Sequence, residues 1–159
     1  MIVMAQTSEQ GWIVFDYEVG MYKQMSILCT NGCRNHFVAP IQNALAESML
    51  LHLRIVVDML LRKKSEDDDV TLSVLLPQFK SAHIEKLRSA YGSRNTEDSP
   101  CWTLNKMLAH ATFARADTYD YTAMLAPLTP ILLQVLLEVE KVRFGRDGRI
   151  LNQPKTANP

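Results

Sequence analysis

The sequence predicts an all-α protein, a bundle of four or five helices, and three observations lead there. Apolar residues recur at spacings of three and four along several stretches. Strand-like alternation is almost absent. A chain of 159 residues with 47% hydrophobic and 21% charged side chains can bury a sizeable core without disulfides or metals.

The elements follow in order. Phe15, Val19, Tyr22, Ser26 and Cys29 share one face, which predicts a first helix over residues 14–29, weakened by Gly20. Thr30, Asn31 and Gly32 then favour a turn, because Asn-Gly readily supplies a positive φ. Pro40 suits the first turn of a long second helix over residues 40–64, with Arg62, Lys63 and Lys64 complementing the negative end of its dipole. Glu66 to Asp69 read as a solvated loop. Residues 70–77 are apolar but short and close on Pro77, so a turn or one loose helical turn is expected. A third helix over 79–91 is stopped by Gly92. Ser99 and Pro100 are a good cap and first-turn pair for a fourth helix running to residue 115.

Thr118 or Asp120 can cap the last helix, which ends near Gly145, and Pro127 and Pro130 predict a kink or a late start in it. Its run over 125–139 is rich in Leu, Ile and Val but is shorter than the ~20 residues of a membrane span and carries Gln134 and Glu138. It reads as a buried bundle helix, with a partner-facing helix as the alternative. A single domain over 1–145 and a flexible tail over 146–159 are expected.

Charge and cysteine usage narrow the function classes. Seventeen basic and seventeen acidic residues cancel, so global charge favours neither nucleic acid nor an acidic membrane. The first ten residues lack a positive n-region with an apolar h-region, so a cytoplasmic protein with reduced thiols is expected. Cys29, Cys33 and His36 are metal-capable, yet a structural zinc site needs a fourth ligand that only distant residues such as Cys101 or His83 can supply. No metal and no cofactor are expected. Gly-rich phosphate loops, Gly-x-Ser-x-Gly elbows and His-Glu-x-x-His helices are missing from the sequence.

The candidate site residues are polar groups within the second and fourth helices. Glu47, Arg54 and Asp58 fall in a narrow stripe, since seven residues bring a helix back to within about 20°. Arg54 and Asp58 are spaced to pair at i,i+4, and the apolar surroundings predict that Glu47 and Arg54 are buried and hydrogen-bonded. Asn105, Lys106, His110 and Arg115 lie on the fourth helix, where Ala109, Ala111 and Ala114 allow another helix close. If the two helices are neighbours, His110 can join the stripe. The cluster is then a structural network, an acid/base or phosphate-contacting site, or a partner-recognition surface.

The phrases Glu47-x4-His52-x-Arg54-x3-Asp58 and Asn105-Lys106-x2-Ala109-His110-x4-Arg115 resemble bacterial helical-bundle proteins of unassigned function, similar in turn to HEPN (higher eukaryote and prokaryote nucleotide-binding) domains. The resemblance covers residues 40–118. It implies a HEPN-like bundle and, in active members, metal-independent RNA cleavage by an Arg and a His on one helix brought together across a dimer. His110 matches that histidine, but Thr103, Leu104 and Asn105 stand where the preceding arginine would lie. The expected function is therefore a non-enzymatic module that binds a protein partner, a nucleotide or RNA, acting as a homodimer and not at a membrane. The alternative is a metal-independent endoribonuclease of the toxin or defence type, with His110 as acid/base and Arg54 or Arg115 supplying the missing cation.

Overall fold

The computed structural model describes residues 2–30, 33–63, 69–109 and 121–145. Among these the chain is all-helical: α1 (Ile2–Thr30), a 3-10 turn (Cys33–His36), α2 (Ala39–Leu61), α3 (Leu72–Leu75), α4 (Ala82–Tyr91), α5 (Pro100–Ala109) and α6 (Tyr121–Phe144). Five are long helices and α3 is a single turn, so the expected loose turn over 70–77 is present. α1 and α2 form an antiparallel hairpin, α4 lies along α6, and α5 packs on α2.

The helix boundaries show which local signals prevail. α1 begins well before residue 14, so neither Gly20 nor Gly11 ends it. Val38 precedes α2 in an extended conformation, and Pro40 occupies its first turn, where a missing N–H costs nothing. At the other end the Arg88 guanidinium of α4 reaches the Leu61 carbonyl at 3.1 Å, supplying a donor that the helix itself lacks. α4 starts at Ala82, later than the predicted residue 79, because Ser81 caps it by accepting the His83 N–H at 2.9 Å. Ser99 caps α5 as expected, accepting the Trp102 N–H at 3.2 Å, while its own hydroxyl donates to the Ser93 carbonyl at 2.8 Å. The predicted end of α5 at residue 115 and the tail over 146–159 fall outside the described residues.

The core is built around the second half of α2. Leu50, Leu53, Val56 and Val57 are completely buried, together with Leu87 of α4, Leu104 of α5 and Leu128, Leu132 and Val135 of α6. The first half of α2 is different: Ile41 and Glu47 are exposed, as is Val38 just before the helix.

α6 is continuous from Tyr121 through both prolines. Pro127 and Pro130 cannot donate to the carbonyls of Ala123 and Ala126, but all four residues lie on the exposed face, where those carbonyls are not stranded in the core. The predicted late start is therefore not seen.

Gly92 ends α4 with φ 73° and ψ −153°, a conformation that side chains disfavour. A Cβ there would also sit 2.6 Å from the Ser99 Cβ. We expect Gly92→Ala to lower unfolding free energy by about 1–3 kcal/mol, measured by urea denaturation. An unchanged midpoint would show that the α4–α5 loop relaxes freely.

Candidate functional site

Four polar clusters tie the helices together, and only one gathers the predicted site residues. Arg54 and Asp58 of α2 are half-buried and face the junction of α4 and α5. Asp58 has Arg54, Arg62 and Arg94 around it, with Tyr91 and Cys101 on its inner side. Asn105 folds back onto its own helix, donating from Nδ2 to the Cys101 carbonyl at 2.7 Å, with the Cys101 Sγ 3.7 Å away. Arg54 and Asp58 thus lie beside Cys101, to which Asn105 is bonded along α5. The expected direct contact between Arg54 and Asp58 is absent, since no ion pair joins them among the described residues.

Two predicted members stand elsewhere. Glu47 is exposed, which corrects the expectation of burial: α2 is enclosed on several sides only from Met49 onward, and Glu47 precedes that point. Lys106 is exposed and lies over the Trp102 ring, 4.8 Å from its centroid. His110 and Arg115 lie outside the described residues.

The electrostatics around Asp58 favour proton retention over nucleophilic chemistry. Partial burial raises the Asp58 carboxyl above the usual range, and the surrounding guanidiniums offset this only in part. Burial, reinforced by the Asp58 charge, raises the Tyr91 phenol and the Cys101 thiol as well. Cys101 therefore stays protonated at neutral pH and is a poor nucleophile. The Tyr91 hydroxyl is enclosed beside that thiol without a hydrogen bond of good geometry.

The remaining clusters were not foreseen as units. Glu138 of α6 accepts hydrogen bonds from the Ser81 hydroxyl and, at 2.7 Å, from His83 Nδ1. These are the residue types of a hydrolytic triad in the wrong order. In a working triad the histidine bridges nucleophile and carboxylate, whereas here the carboxylate bridges Ser81 and His83, leaving the imidazole without the Ser81 proton. The cluster fastens the start of α4 to α6. Burial pushes Glu138 up, but the two donors outweigh it and hold its carboxyl below the usual range.

Between α1 and α2, His52 Nδ1 donates to Glu18 at 2.6 Å, with both side chains mostly buried. At the far end of α6, Arg143 forms a forked pair with Asp16 at 2.6 and 3.1 Å. The same guanidinium lies 4.0 Å from the Trp12 ring centroid and 4.7 Å from that of Phe144. An open cleft of about 540 Å³ lies along this contact, lined by Ser8, Glu9, Trp12, Ile13, Asp16 and Arg143. No group of three or more His, Cys, Asp or Glu side chains among the described residues is placed to hold a metal ion.

α6 carries the largest anomaly. Its inner face is core, and Glu140 is buried there with Lys23 of α1 as its charged neighbour. Its outer face carries exposed apolar residues as well: Leu133 is 41% exposed, Leu137 43% and Phe144 53%, in line with exposed Ala123, Ala126, Pro127 and Pro130, with Gln134 and Lys141 as exposed polar groups among them. The helix is 24 residues long, longer than the apolar run in the sequence suggested, and is by length and composition alone able to cross a membrane, with 33% of its most apolar window buried in the bundle. The reading as a buried bundle helix holds for the inner face alone.

No protein-family model, curated protein or solved structure matches the chain.

The raised Asp58 carboxyl gives a signed pH dependence. Below about 3.9, the unperturbed aspartate value, Asp58 is protonated in both folded and unfolded chains. As pH rises through the higher folded value the folded state loses stability relative to the unfolded state. Asp58→Asn should therefore be more stable than wild type at pH 7, with the difference vanishing near pH 3.5, as read by urea unfolding at both values. A variant less stable at pH 7 would show that the arginines make the charged form net favourable.

Proposed function

We propose that this protein is a non-enzymatic helical-bundle module that docks a protein partner on the outer face of α6. The carrying observation is the row of exposed Ala126, Pro130, Leu133, Leu137 and Phe144 on that face, beside which Gln134 and Lys141 are exposed polar groups. Exposed hydrophobic side chains scattered singly are ordinary, but an aligned row along one helix marks an interaction surface. The polar clusters support the same reading. The Ser81, His83 and Glu138 side chains are consumed in holding α4 to α6, and Arg143 is consumed in holding α6 to α1. They present the stripe on a fixed scaffold.

A HEPN-like bundle remains part of the proposal, supported by the contact between α2 and α5 that carry the resembling phrases. A second reading, nucleotide or RNA binding, is favoured by one observation: Arg54, Arg62 and Arg94 gather around Asp58, a group of guanidiniums of the kind that contacts phosphate, with Asp69 lining the same cleft as Asp58 and Arg62. The endoribonuclease alternative would act through His110.

Both readings can be checked directly. A photoreactive benzoylphenylalanine replacing Leu137 in expressing cells should give a protein adduct of discrete mass. The same group replacing Lys86, exposed on α4, should give none. Equal labelling at the two positions, or none at 137, would remove the docking reading. Labelled RNA incubated with the protein in EDTA should remain intact, since loss of one electrostatic contact typically lowers rate by about 10²–10³. Cleavage that disappears in His110→Ala would establish the ribonuclease instead.

A further inference from the structure

We infer that α5 is a proton-responsive cover: it lifts from α2 and α4 while the rest of the bundle stays folded, and it does so more readily when Asp58 carries its charge. The cover is a different part of the molecule from the docking face on α6 and does not rest on that reading.

Among the described residues, every other long helix is fastened to a neighbour by a side-chain bond. His52 joins α2 to Glu18 of α1, Arg88 joins α4 to the Leu61 carbonyl of α2, and Glu138 joins α6 to Ser81 and His83 at the start of α4. The described polar side chains at α5 turn back on α5 itself. Asn105 donates to the Cys101 carbonyl, Lys106 lies over the Trp102 ring, and Ser99 accepts the Trp102 N–H. Of the side chains described on α5 only Leu104 is completely buried, whereas α2 contributes Leu50, Leu53, Val56 and Val57.

The seat beneath α5 is polar and incompletely satisfied. Tyr91 of α4 is 3% exposed, and its hydroxyl has no hydrogen-bond partner. It is enclosed beside the Cys101 thiol and the Asp58 carboxyl. An enclosed hydroxyl without a partner regains a hydrogen bond from water once it is uncovered, and a carboxylate regains its hydration in the same step. Lifting α5 therefore rehydrates two groups and exposes one fully buried leucine. Elements held in this way open as cooperative units ahead of global unfolding.

The proton acts through Asp58. Around that carboxyl stand Arg54 and Arg62 of α2, Tyr91 of α4, Arg94 of the α4–α5 loop and Cys101 of α5, with Asp69 lining the same cleft. The arginines keep their charge, and burial holds the phenol and the thiol in their protonated forms. Burial also raises the Asp58 carboxyl while α5 is closed. Below about 3.9, the unperturbed aspartate value, Asp58 holds its proton whether α5 is closed or lifted. As pH rises through the higher closed-state value, the lifted state gains.

Cys101 reports the opening. In the full chain carrying Cys29→Ser and Cys33→Ser, a methanethiosulfonate reagent should label Cys101 faster than global unfolding permits, each rate being divided by that of the urea-unfolded chain at the same pH. Tyr91→Phe removes the unbonded hydroxyl and should slow this labelling by roughly 5–100-fold. The corrected rate should rise between about pH 4 and about pH 7 and stay level in Asp58→Asn. Amide exchange of the chain with all its cysteines is the second measurement, in which α5 should exchange ahead of the buried half of α2. Labelling and exchange of α5 only at the rate of global unfolding would overturn the inference. So would a labelling rate unchanged in Tyr91→Phe, or a pH dependence that survives in Asp58→Asn.

Discussion

Leu50, Leu53, Val56 and Val57 are completely buried along α2, and with Met49, Met59 and Leu60 they span about half of its circumference. No single neighbour can cover so wide a surface, so α2 requires a surround. α1 covers one side as the hairpin partner, α5 and α4 cover another, and α3 closes the gap near the end of the helix. α3 comes so close to α1 that a Cβ on Gly11 would sit 2.8 Å from the Leu75 Cδ2. The remaining contacts depend on that enclosure: Arg88 can reach the Leu61 carbonyl, and Asp58 is desolvated, only because α4 and α5 are drawn against the end of α2.

α6 inverts the usual distribution of polarity. Apolar residues surround nearly the whole helix, so hydrophobicity alone does not say which side faces inward. Its acidic groups do. A carboxylate brought out of water needs a donor or a cation. Glu138 finds Ser81 and His83 on α4, and Glu140 has Lys23 of α1 nearby. Those contacts, with the forked Arg143–Asp16 pair, set the rotation of α6 and turn Leu133 and Leu137 outward. The polar groups within the apolar run act as orientation marks, and the apolar outer stripe is what they leave uncovered.

The helical class, the Ser99 cap and the stop at Gly92 were legible because each depends on a few adjacent residues, whereas the Asn31-Gly32 turn lies outside the described residues. The early start of α1 was not, since tertiary contact overrides the weak helix propensity of Gly11 and Gly20. Burial of Glu47 was overread. An apolar run shows that a helix has partners on several sides, but not over which turns, and the enclosure of α2 begins at Met49. Of the candidate site, Arg54 and Asp58 meet Cys101, the bonding partner of Asn105, because α2 and α5 are neighbours, which spacing alone could only suppose. Tyr91, Arg94 and Cys101 escaped notice because they reach Asp58 from loop and helix positions distant in sequence. The clue to the Ser81–His83–Glu138 anchor was a lone acid inside an apolar run, a signal that gives no partner.

If α6 has a buried face and an opposite face covered by a protein partner, the outer face is protected only where that partner is present. Hydroxyl-radical footprinting, read residue by residue by mass spectrometry in expressing cells and on the purified chain, tests this most directly. Leu133, Leu137 and Phe144 should be less reactive in cells than after purification, while the exposed Val38 and Ile41 around the start of α2 keep the same reactivity. Equal reactivity along α6 in the two settings, or protection confined to Val38 and Ile41, would contradict the docking reading.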